Sequence, residues 1–174
     1  MSTATIKPTA STVHTVVDSP CGLLTLVARE GELSGLYMTD QRHRPPSESF
    51  GPRADLPAFD RVEEQLAAYF DGDLSAFDLP LNMAGTPFQK RVWAALCDIP
   101  YGQTATYGEL AAAMGNPTAS RAVGLANGKN PISIIVPCHR VVGSDGSLTG
   151  YGGGLTRKRW LLDLERGTQQ PTLT

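Results

Sequence analysis

The sequence has few cysteines and no long apolar run, and both absences exclude classes of protein. Its 174 residues contain no stretch approaching the roughly 18 consecutive apolar residues of a transmembrane helix. No basic segment followed by an apolar run marks the N-terminus for export. The three cysteines, separated by 76 and 41 residues, fit neither a disulfide framework nor a paired zinc motif. We therefore expect a cytoplasmic protein with no membrane partner.

Charged residues are also scarce, and they are unevenly distributed. They make up 18% of the chain, whereas the 41% of hydrophobic residues are enough for a folded core. Residues 1–85 carry 6 basic and 12 acidic side chains, a net charge of −6, and residues 86–174 carry 9 and 5, a net charge of +4. The second half is therefore where a polyanion such as nucleic acid would bind, although an ordinary solvated surface also explains a charge of +4.

The N-terminal half predicts a small sheet followed by a helix. Apolar residues at helical spacing from Phe59 to Phe70 predict an amphipathic helix that covers one sheet face. Four prolines and several charges in residues 40–57 predict a long, exposed and mobile loop. Three short apolar stretches separated by turn signals predict an antiparallel meander: residues 13–17, 23–28 and 33–38.

The second half predicts a series of short helices. Residues 86–89 (TPFQ) and 106–109 (TYGE) have the sequence of capping boxes, so helices should begin there and run to about Ile99 and Met114. Residues 117–128 predict a further helix after a Gly-Asn-Pro break. Two short helices joined by a tight turn are typical of a helix-turn-helix, which binds DNA in many proteins, although helical hairpins are also common in bundles.

The end of the chain predicts a buried extended segment, a loop and a last helix. The β-branched run Ser133–Val136, ended by Pro137, should deliver Cys138 and His139 at its exit. Six glycines in residues 143–154 allow a backbone to approach a ligand closely, or form a flexible loop. Residues 156–166 predict a closing helix that stops at Gly167.

Together these patterns predict an α+β fold. A small N-terminal antiparallel sheet with a helix would pack on a mostly helical C-terminal domain that contains the helix-turn-helix. We place the N-terminal domain at residues 13–80 and the C-terminal domain at residues 86–167. Polar, aperiodic ends predict flexible tails at residues 1–12 and 168–174.

Cys138 followed by His139 is the pair with the clearest chemical meaning. A thiol attacks as its thiolate, and a neighbouring imidazole can take up the proton. Adjacent residues of an extended segment point to opposite sides, so a turn or a bridging water is needed to connect them. A cysteine and histidine alone are more simply explained by a buried cysteine that acts as a small hydrophobe.

The surrounding residues favour the reactive interpretation. Residues 135–142 (IVPCHRVV) resemble the active-site signature of the O⁶-alkylguanine-DNA alkyltransferases, the methylated-DNA:protein-cysteine methyltransferases. Further family motifs lie at the expected separations: TYGELA around Tyr107, SRAVG at 120–124, Asn130-Pro131, YGGG at 151–154 and Glu165. The sequence is therefore identified as a member of this family, closely over residues 86–166 and only in general layout before them.

The resemblance assigns the reactive groups. Cys138 is implied to accept the alkyl group, His139 to act as a base through a water, and Glu165 to orient and charge His139. Asn130 is implied to link the recognition helix to the active-site segment by hydrogen bonds to backbone groups. Ordinary surface, helix-end and turn positions are the alternative explanations for His139, Glu165 and Asn130.

The resemblance also implies a minor-groove contact with DNA. Arg121 would enter the duplex through the minor groove and fill the space left by a flipped nucleotide, although a surface cation is the simpler alternative. The small residues around it would let the helix approach the groove floor: Ala119, Ser120, Ala122 and Gly124.

The same resemblance names contacts to the base. Tyr107 would donate to the ring of the flipped guanine and press on its 3′ phosphate; otherwise it is a core tyrosine. The carbonyls of Cys138 and Val141 would accept from the exocyclic amine, and the amides of Tyr151 and Gly152 would approach O⁶. Some relatives carry serine where this chain has Gly152, so the preference for alkyl groups is left open.

The implied function is repair of double-stranded DNA by irreversible, stoichiometric transfer of an alkyl group from guanine O⁶ to Cys138, with O⁴-alkylthymine as a further candidate substrate. Such a protein would be consumed after one turnover, would need no cofactor, and would act as a monomer or cooperatively along DNA. We predict no zinc, because only His14, Cys21 and His43 are available in the N-terminal half.

Three alternatives belong to other functional classes. A non-catalytic binder of alkylated DNA is one, but the relatives of that kind replace the acceptor cysteine that this chain keeps. A transcription regulator would use the helix-turn-helix in the major groove and would not require Cys138, His139 and Glu165 together. A cysteine hydrolase would reveal itself by turnover on esters or amides.

Overall fold

The N-terminal half forms a three-stranded antiparallel sheet, as the apolar pattern predicts. The computed structural model describes residues 12–168. The strands β1 (Thr12–Val17), β2 (Leu24–Arg29) and β3 (Glu32–Met38) pair in the order β1-β2-β3. Thr12 already belongs to β1, one residue inside the predicted tail, and the rest of both predicted tails lies outside the described residues except for Thr168.

Helix α1 (Pro57–Phe70) covers the sheet with the stripe of apolar residues that the spacing predicts. Its buried positions recur every three or four residues, so they lie on one helix face. Proline at the first helical position fits the start, where an amide would have no partner, and Gly72 with φ +81° follows the end. The buried residues of this face are Phe59, Val62, Leu66 and Tyr69.

The predicted exposed loop at residues 40–57 is wrong in part. Residues 47–50 form a turn of 3₁₀ helix, and Phe50 is only 3% exposed. The Phe50 ring stacks on Tyr37, with centroids 5.4 Å apart and an interplanar angle of 10°. The free energy gained by burying an aromatic ring is enough to fix an irregular segment. The prolines and charges of this stretch give no sign of that burial.

The C-terminal half contains four short helices and a two-stranded parallel sheet. Helices α2 (Pro87–Cys97) and α3 (Tyr107–Ala113) begin at capping boxes in which Thr86 pairs with Gln89 and Thr106 with Glu109, as predicted. Strands β4 (Ala105–Thr106) and β5 (Val141–Val142) are parallel. Helices α4 (Ser120–Gly128) and α5 (Leu155–Arg166) complete the described chain.

Helix α4 begins later than the predicted residue 117. Ala119 donates its backbone N–H to the carbonyl of Asn116 at 3.0 Å, so residues 116–119 form a turn and the helix starts at Ser120. Proline disfavours helical geometry in the residue before it, which explains why the turn is placed at Asn116-Pro117. Helices α3 and α4 pack on each other and on α2, giving the predicted helix-turn-helix arrangement.

The segment Ser133–Val136 is not extended, and this prediction is wrong. It is a series of turns in which Ile134 has φ +73° and Val136 donates to the carbonyl of Ile132 at 3.0 Å. The turns are fixed from outside the segment, because Leu36 of β3 pairs with residues 131–133 through two backbone hydrogen bonds. Long-range pairing has therefore overridden the β-branched character of the run.

The sheet, α1 and the helical half share one hydrophobic core. The segment after residue 73 returns to the sheet, because Asn82 donates its backbone N–H to the carbonyl of Leu33 in β3 at 2.8 Å. Within residues 12–168, no helix has the length and apolar character needed to cross a membrane. The α+β fold positions the end of the turn segment, at Cys138, where the two halves meet.

Candidate active site

Cys138 begins a short 3₁₀ turn, Cys138–Arg140, and is only 5% exposed. The buried side chain of Asn130 braces the approach to it: Nδ2 donates to the Val136 carbonyl at 2.8 Å, and Oδ1 accepts from the Ile132 N–H at 3.0 Å. Burial raises the pKa of the Cys138 thiol to about 11, although the Asn130 amide and the Lys158 charge favour the thiolate. The site therefore holds a thiol that needs help to ionise.

His139 is fully buried and hydrogen-bonded to Glu165, with Nε2 and Oε2 2.7 Å apart. Burial lowers the pKa of His139, and the Glu165 carboxylate only partly opposes this effect. Because an ionised carboxylate can only accept, Nε2 carries the hydrogen and Nδ1 of the neutral ring carries a lone pair. Within residues 12–168, Nδ1 has no hydrogen-bond partner. The imidazole is thus oriented as a base with an unoccupied acceptor.

Glu165 accepts hydrogen bonds from two side chains besides that of the predicted His139. Tyr69 donates its hydroxyl to Oε2 at 2.5 Å, and Arg140 donates through Nε to Oε1 at 2.8 Å and through Nη2 to Oε2 at 3.0 Å. Burial by itself raises the pKa of Glu165, but the hydrogen bonds from His139, Arg140 and Tyr69 outweigh it and hold the pKa well below its ordinary value. The carboxylate therefore stays ionised in a buried position.

Arg140 and Tyr69 were missed, for different reasons. Arg140 lies inside the signature stretch 135–142, so its position next to His139 was a usable signal. Tyr69 lies 96 residues before Glu165 and belongs to the predicted core face of α1, where a tyrosine needs no functional explanation.

Lys158 is a further missed residue near the site. Its side chain is buried, and Nζ donates to the carbonyls of Val141 and Thr149. Burial lowers the pKa of Lys158 to about 8, while the nearby Cys138 thiol favours the charged form. The ammonium thereby joins the predicted base-binding residue Val141 to the loop that precedes Tyr151.

The predicted pocket residues Tyr151 and Gly152 pack against the N-terminal half. A methyl group added at Gly152 would lie 3.3 Å from Cγ of Gln41 and 3.4 Å from the Arg42 carbonyl oxygen. At Gly153, an added methyl group would lie only 2.5 Å from Sδ of Met38. A side chain at residue 153 would force Met38 and Tyr151 to move, whereas a serine at residue 152 would require only a small shift of the Gln41 side chain.

The predicted DNA-contacting residues lie on α4, except for Ala119, which immediately precedes the helix. Arg121 and Ala122 are exposed, whereas Ala119, Ser120 and Gly124 are half-buried. Ser120, Arg121 and Gly124 line an open groove. Tyr107 borders this groove, and a methyl group added at Gly124 would lie 3.7 Å from its ring. Leu125, a residue not singled out in the sequence, also lines the groove and is 67% exposed.

The predicted residues thus form two groups. Cys138, His139, Glu165 and Asn130 form a buried cluster, and Ser120, Arg121 and Gly124 line an open groove with Tyr107. In the described part of the chain, no group of three or more His, Cys, Asp or Glu side chains could hold a metal ion. The combination defines a protein with a helix-turn-helix surface beside a buried cysteine, histidine and glutamate.

Comparison with known proteins identifies this combination. The sequence profile described as "6-O-methylguanine DNA methyltransferase, DNA binding domain" matches residues 87–167, and the one described as "6-O-methylguanine DNA methyltransferase, ribonuclease-like domain" matches residues 12–83. The chain therefore belongs to the 6-O-methylguanine DNA methyltransferase family. This result confirms the family predicted from the residues around Cys138.

Individual relatives agree. A methylated-DNA–protein-cysteine methyltransferase of Mycolicibacterium paratuberculosis is 54% identical over 163 residues, covering 92% of this chain and 96% of that protein. The crystal structure of Mycobacterium tuberculosis OGT in complex with DNA is 52% identical, with a TM-score of 0.85 over 91% of this chain and 96% of that one. The predicted α+β fold class and enzyme assignment are confirmed by these similarities.

Proposed function

We propose that this protein repairs DNA by transferring an alkyl group from O⁶ of guanine to Sγ of Cys138. The observation that carries the proposal is the buried pair of Cys138 and His139, with His139 held by Glu165 at 2.7 Å and its Nδ1 left as an acceptor. Relatives named methylated-DNA–protein-cysteine methyltransferase, and a 52% identical OGT solved with DNA, support the same reaction and partner.

Ionisation of Cys138 is the first chemical requirement. With a pKa of about 11, only about one thiol in ten thousand is ionised at pH 7, so a base must take the proton. We assign this role to Nδ1 of His139, acting through a water. The imidazolium that forms would be stabilised by Glu165, which is already ionised and aligned.

Displacement then follows in one step. The Sγ thiolate attacks the alkyl carbon, the carbon–sulfur bond forms, and the carbon–O⁶ bond breaks with its electron pair staying on guanine. A hydrogen bond from Tyr107 to the guanine ring would stabilise that charge. The guanine, which stays in the DNA, takes up one proton, which balances the one that His139 removed from Cys138. The thioether has no good leaving group, so the protein is consumed after one turnover.

Access to O⁶ requires the nucleotide to leave the base stack. Flipping costs a few kcal/mol, and less where the damaged pair is already weak. We assign α4 to the minor groove, with Arg121 as the residue that fills the vacated space. The exposed Arg121 and the half-buried Ser120 and Gly124 next to Tyr107 support this arrangement.

Recognition of the base would use backbone groups. The Val141 carbonyl already accepts from Lys158, but a carbonyl oxygen has a second lone pair that can accept from the guanine amine. The Cys138 carbonyl and the amides of Tyr151 and Gly152 would complete the contacts. These contacts do not depend on side-chain identity, because they use only backbone groups.

Mass spectrometry tests the proposal directly. One equivalent of duplex DNA containing O⁶-methylguanine should add a single methyl mass to the peptide that contains Cys138. Cys138→Ser should bind the same DNA and gain no mass. Binding without any mass gain in the wild-type protein would favour the non-catalytic binder, and sustained turnover would contradict stoichiometric transfer.

A further inference from the structure

A second groove, outside the site already described, lies between the N-terminal loop and the end of α4. It has a volume of about 400 Å³ and lies between residues 41–45 and residues 128–131. None of its lining residues is acidic. Three cationic side chains and one histidine line it: Arg42, Arg44, Lys129 and His43. We call this feature the basic groove. Its charge and openness suit an extended anion.

Two of these cations are available for a ligand. Arg42 and Lys129 are exposed, and within residues 12–168 neither side chain has a hydrogen bond or an ion pair. Arg44 is different, because it donates to Ser47 and Thr25 at 3.1 and 3.2 Å and lies 5.0 Å from the centroid of the Phe50 ring. Arg44 therefore fixes the loop, and Arg42 and Lys129 remain to bind.

The loop that carries Arg42 is held against Gly152, a residue proposed to contact the base. Arg42 donates its backbone N–H to the Gly152 carbonyl at 2.8 Å, and Oε1 of Gln41 accepts from the Met38 N–H at 2.9 Å. Asp40 and His43 adopt φ of 59° and 62°, in the left-handed region that non-glycine residues rarely occupy. Strain of this kind persists where surrounding contacts enforce it and is found at functional sites.

The charge of the N-terminal half makes this loop exceptional. Residues 1–85 carry a net charge of −6 and would repel a polyanion, yet residues 41–47 contain two arginines and a histidine and no acid. The other side of the groove is Lys129, which immediately follows α4. A duplex that lies along α4 with a nucleotide in the pocket would therefore bring its backbone towards this basic stretch of the N-terminal half.

We propose that the basic groove binds backbone phosphates of the DNA strand, through Arg42 from the N-terminal half and Lys129 from the end of α4. This inference rests on the proposed repair function and adds a DNA contact outside α4. The contacts are electrostatic, so they would strengthen binding to damaged and undamaged duplexes alike. They would have no role in the reaction of a free base.

The test compares two double variants with the same loss of charge. Arg42→Ala with Lys129→Ala removes both groove cations; Arg61→Ala with Lys90→Ala removes one exposed arginine and one exposed lysine from α1 and α2. The dissociation constant for duplex DNA is measured against salt concentration. The slope of its logarithm should fall by about 2 in the groove variant and stay near the wild-type value in the control.

A second measurement excludes a loss of the active site. The rate of methyl transfer from subsaturating duplex should fall with affinity in the groove variant, while the rate with free O⁶-benzylguanine should equal that of wild type. Equal salt slopes in the two double variants would overturn the proposal, and so would a wild-type protein that does not bind DNA. If wild type binds DNA but Cys138 gains no methyl mass, the repair function fails while the slopes still decide the groove.

Discussion

At the scale of single residues, Glu165 is the group around which the site is organised. Its carboxylate accepts from His139, Arg140 and Tyr69, and the Gly102 N–H lies 3.3 Å from Oε1. Each donor stabilises the ionised form, and each competes with His139 for the negative charge. The basicity of His139 is therefore also set by residues that hydrogen-bond to Glu165 and not to His139, including Tyr69 of the N-terminal half.

Tyr69→Phe tests this dependence by removing one hydroxyl. Glu165 would lose a donor on the oxygen that binds His139, so the pKa of His139 should rise and the acidic limb of the pH–rate curve should move to higher pH. The expected loss of stability is about 1.5–3 kcal/mol, as for a hydrogen bond to a charged group. Single-turnover methyl transfer across pH measures the shift of the pH–rate curve, and denaturant unfolding measures the loss of stability.

Tyr101→Phe is the matched control for Tyr69→Phe. The Tyr101 ring packs edge-on against Tyr69, with centroids 6.1 Å apart, but its hydroxyl makes no hydrogen bond to Glu165. The control should leave the pH–rate curve where it is in wild type. A uniform loss of rate at every pH in Tyr69→Phe would show that the hydroxyl supports only the fold.

At the scale of elements, the starts of α2 and α3 depend on local chemistry and are predicted correctly, whereas two features that depend on distant contacts are not. The capping boxes at Thr86 and Thr106 mark the starts of α2 and α3 because the interactions involved span only three residues. The β-branched side chains of residues 133–136 predict an extended segment. That prediction fails because the turns are fixed by hydrogen bonds to Leu36 of β3, which the local sequence does not reveal. The role of Tyr69 was not predicted for the same reason, because its partner Glu165 is 96 residues away in the sequence.

Helix α4 shows how an element can be built for close approach to a partner. Its residues are mostly small, and Trp93 of α2 fixes its inner side by donating Nε1–H to the Ala126 carbonyl at 2.9 Å. The outer side is left to Arg121 and Leu125. A rigid helix with one long cation among small side chains can place that cation deep in a groove.

Arg121→Ala distinguishes a wedge from a simple phosphate contact. As the wedge, Arg121 should be needed for reaction with duplex DNA but not with free O⁶-benzylguanine, which requires no flipping. The ratio of the duplex rate to the free-base rate should then fall by about tenfold or more, equivalent to ~1.4 kcal/mol of assistance. Arg159→Ala, which removes an exposed arginine from α5, is the control. An unchanged ratio in Arg121→Ala would remove this residue from the flipping step.

At the scale of the whole molecule, the site is also the junction between the two halves. Glu165 on α5 is contacted by Tyr69 of α1, by Gly102 and by the turn at residues 139–140. The basic groove and the Leu36 pairing connect the same two halves at other points. The N-terminal half therefore does more than cover the core, because it supplies a hydrogen-bond donor to the buried cluster and packs against Gly152.

The stability of the whole molecule should consequently depend on the ionisation of Glu165. Its pKa in the folded state lies below the ordinary 4.5, so its contribution to the free energy of unfolding is fully present above about pH 4.5 and is lost as the pH falls through the folded-state value. Glu165→Gln should lower stability at pH 7 by about 3–5 kcal/mol, because Arg140 is left buried without its counter-charge. The same variant should then lose less stability than wild type on acidification. Denaturant unfolding from about pH 7 to pH 3 measures the free energy of unfolding of both proteins. If the two free energies change in parallel with pH over this range, Glu165 does not make the stability of the junction depend on pH.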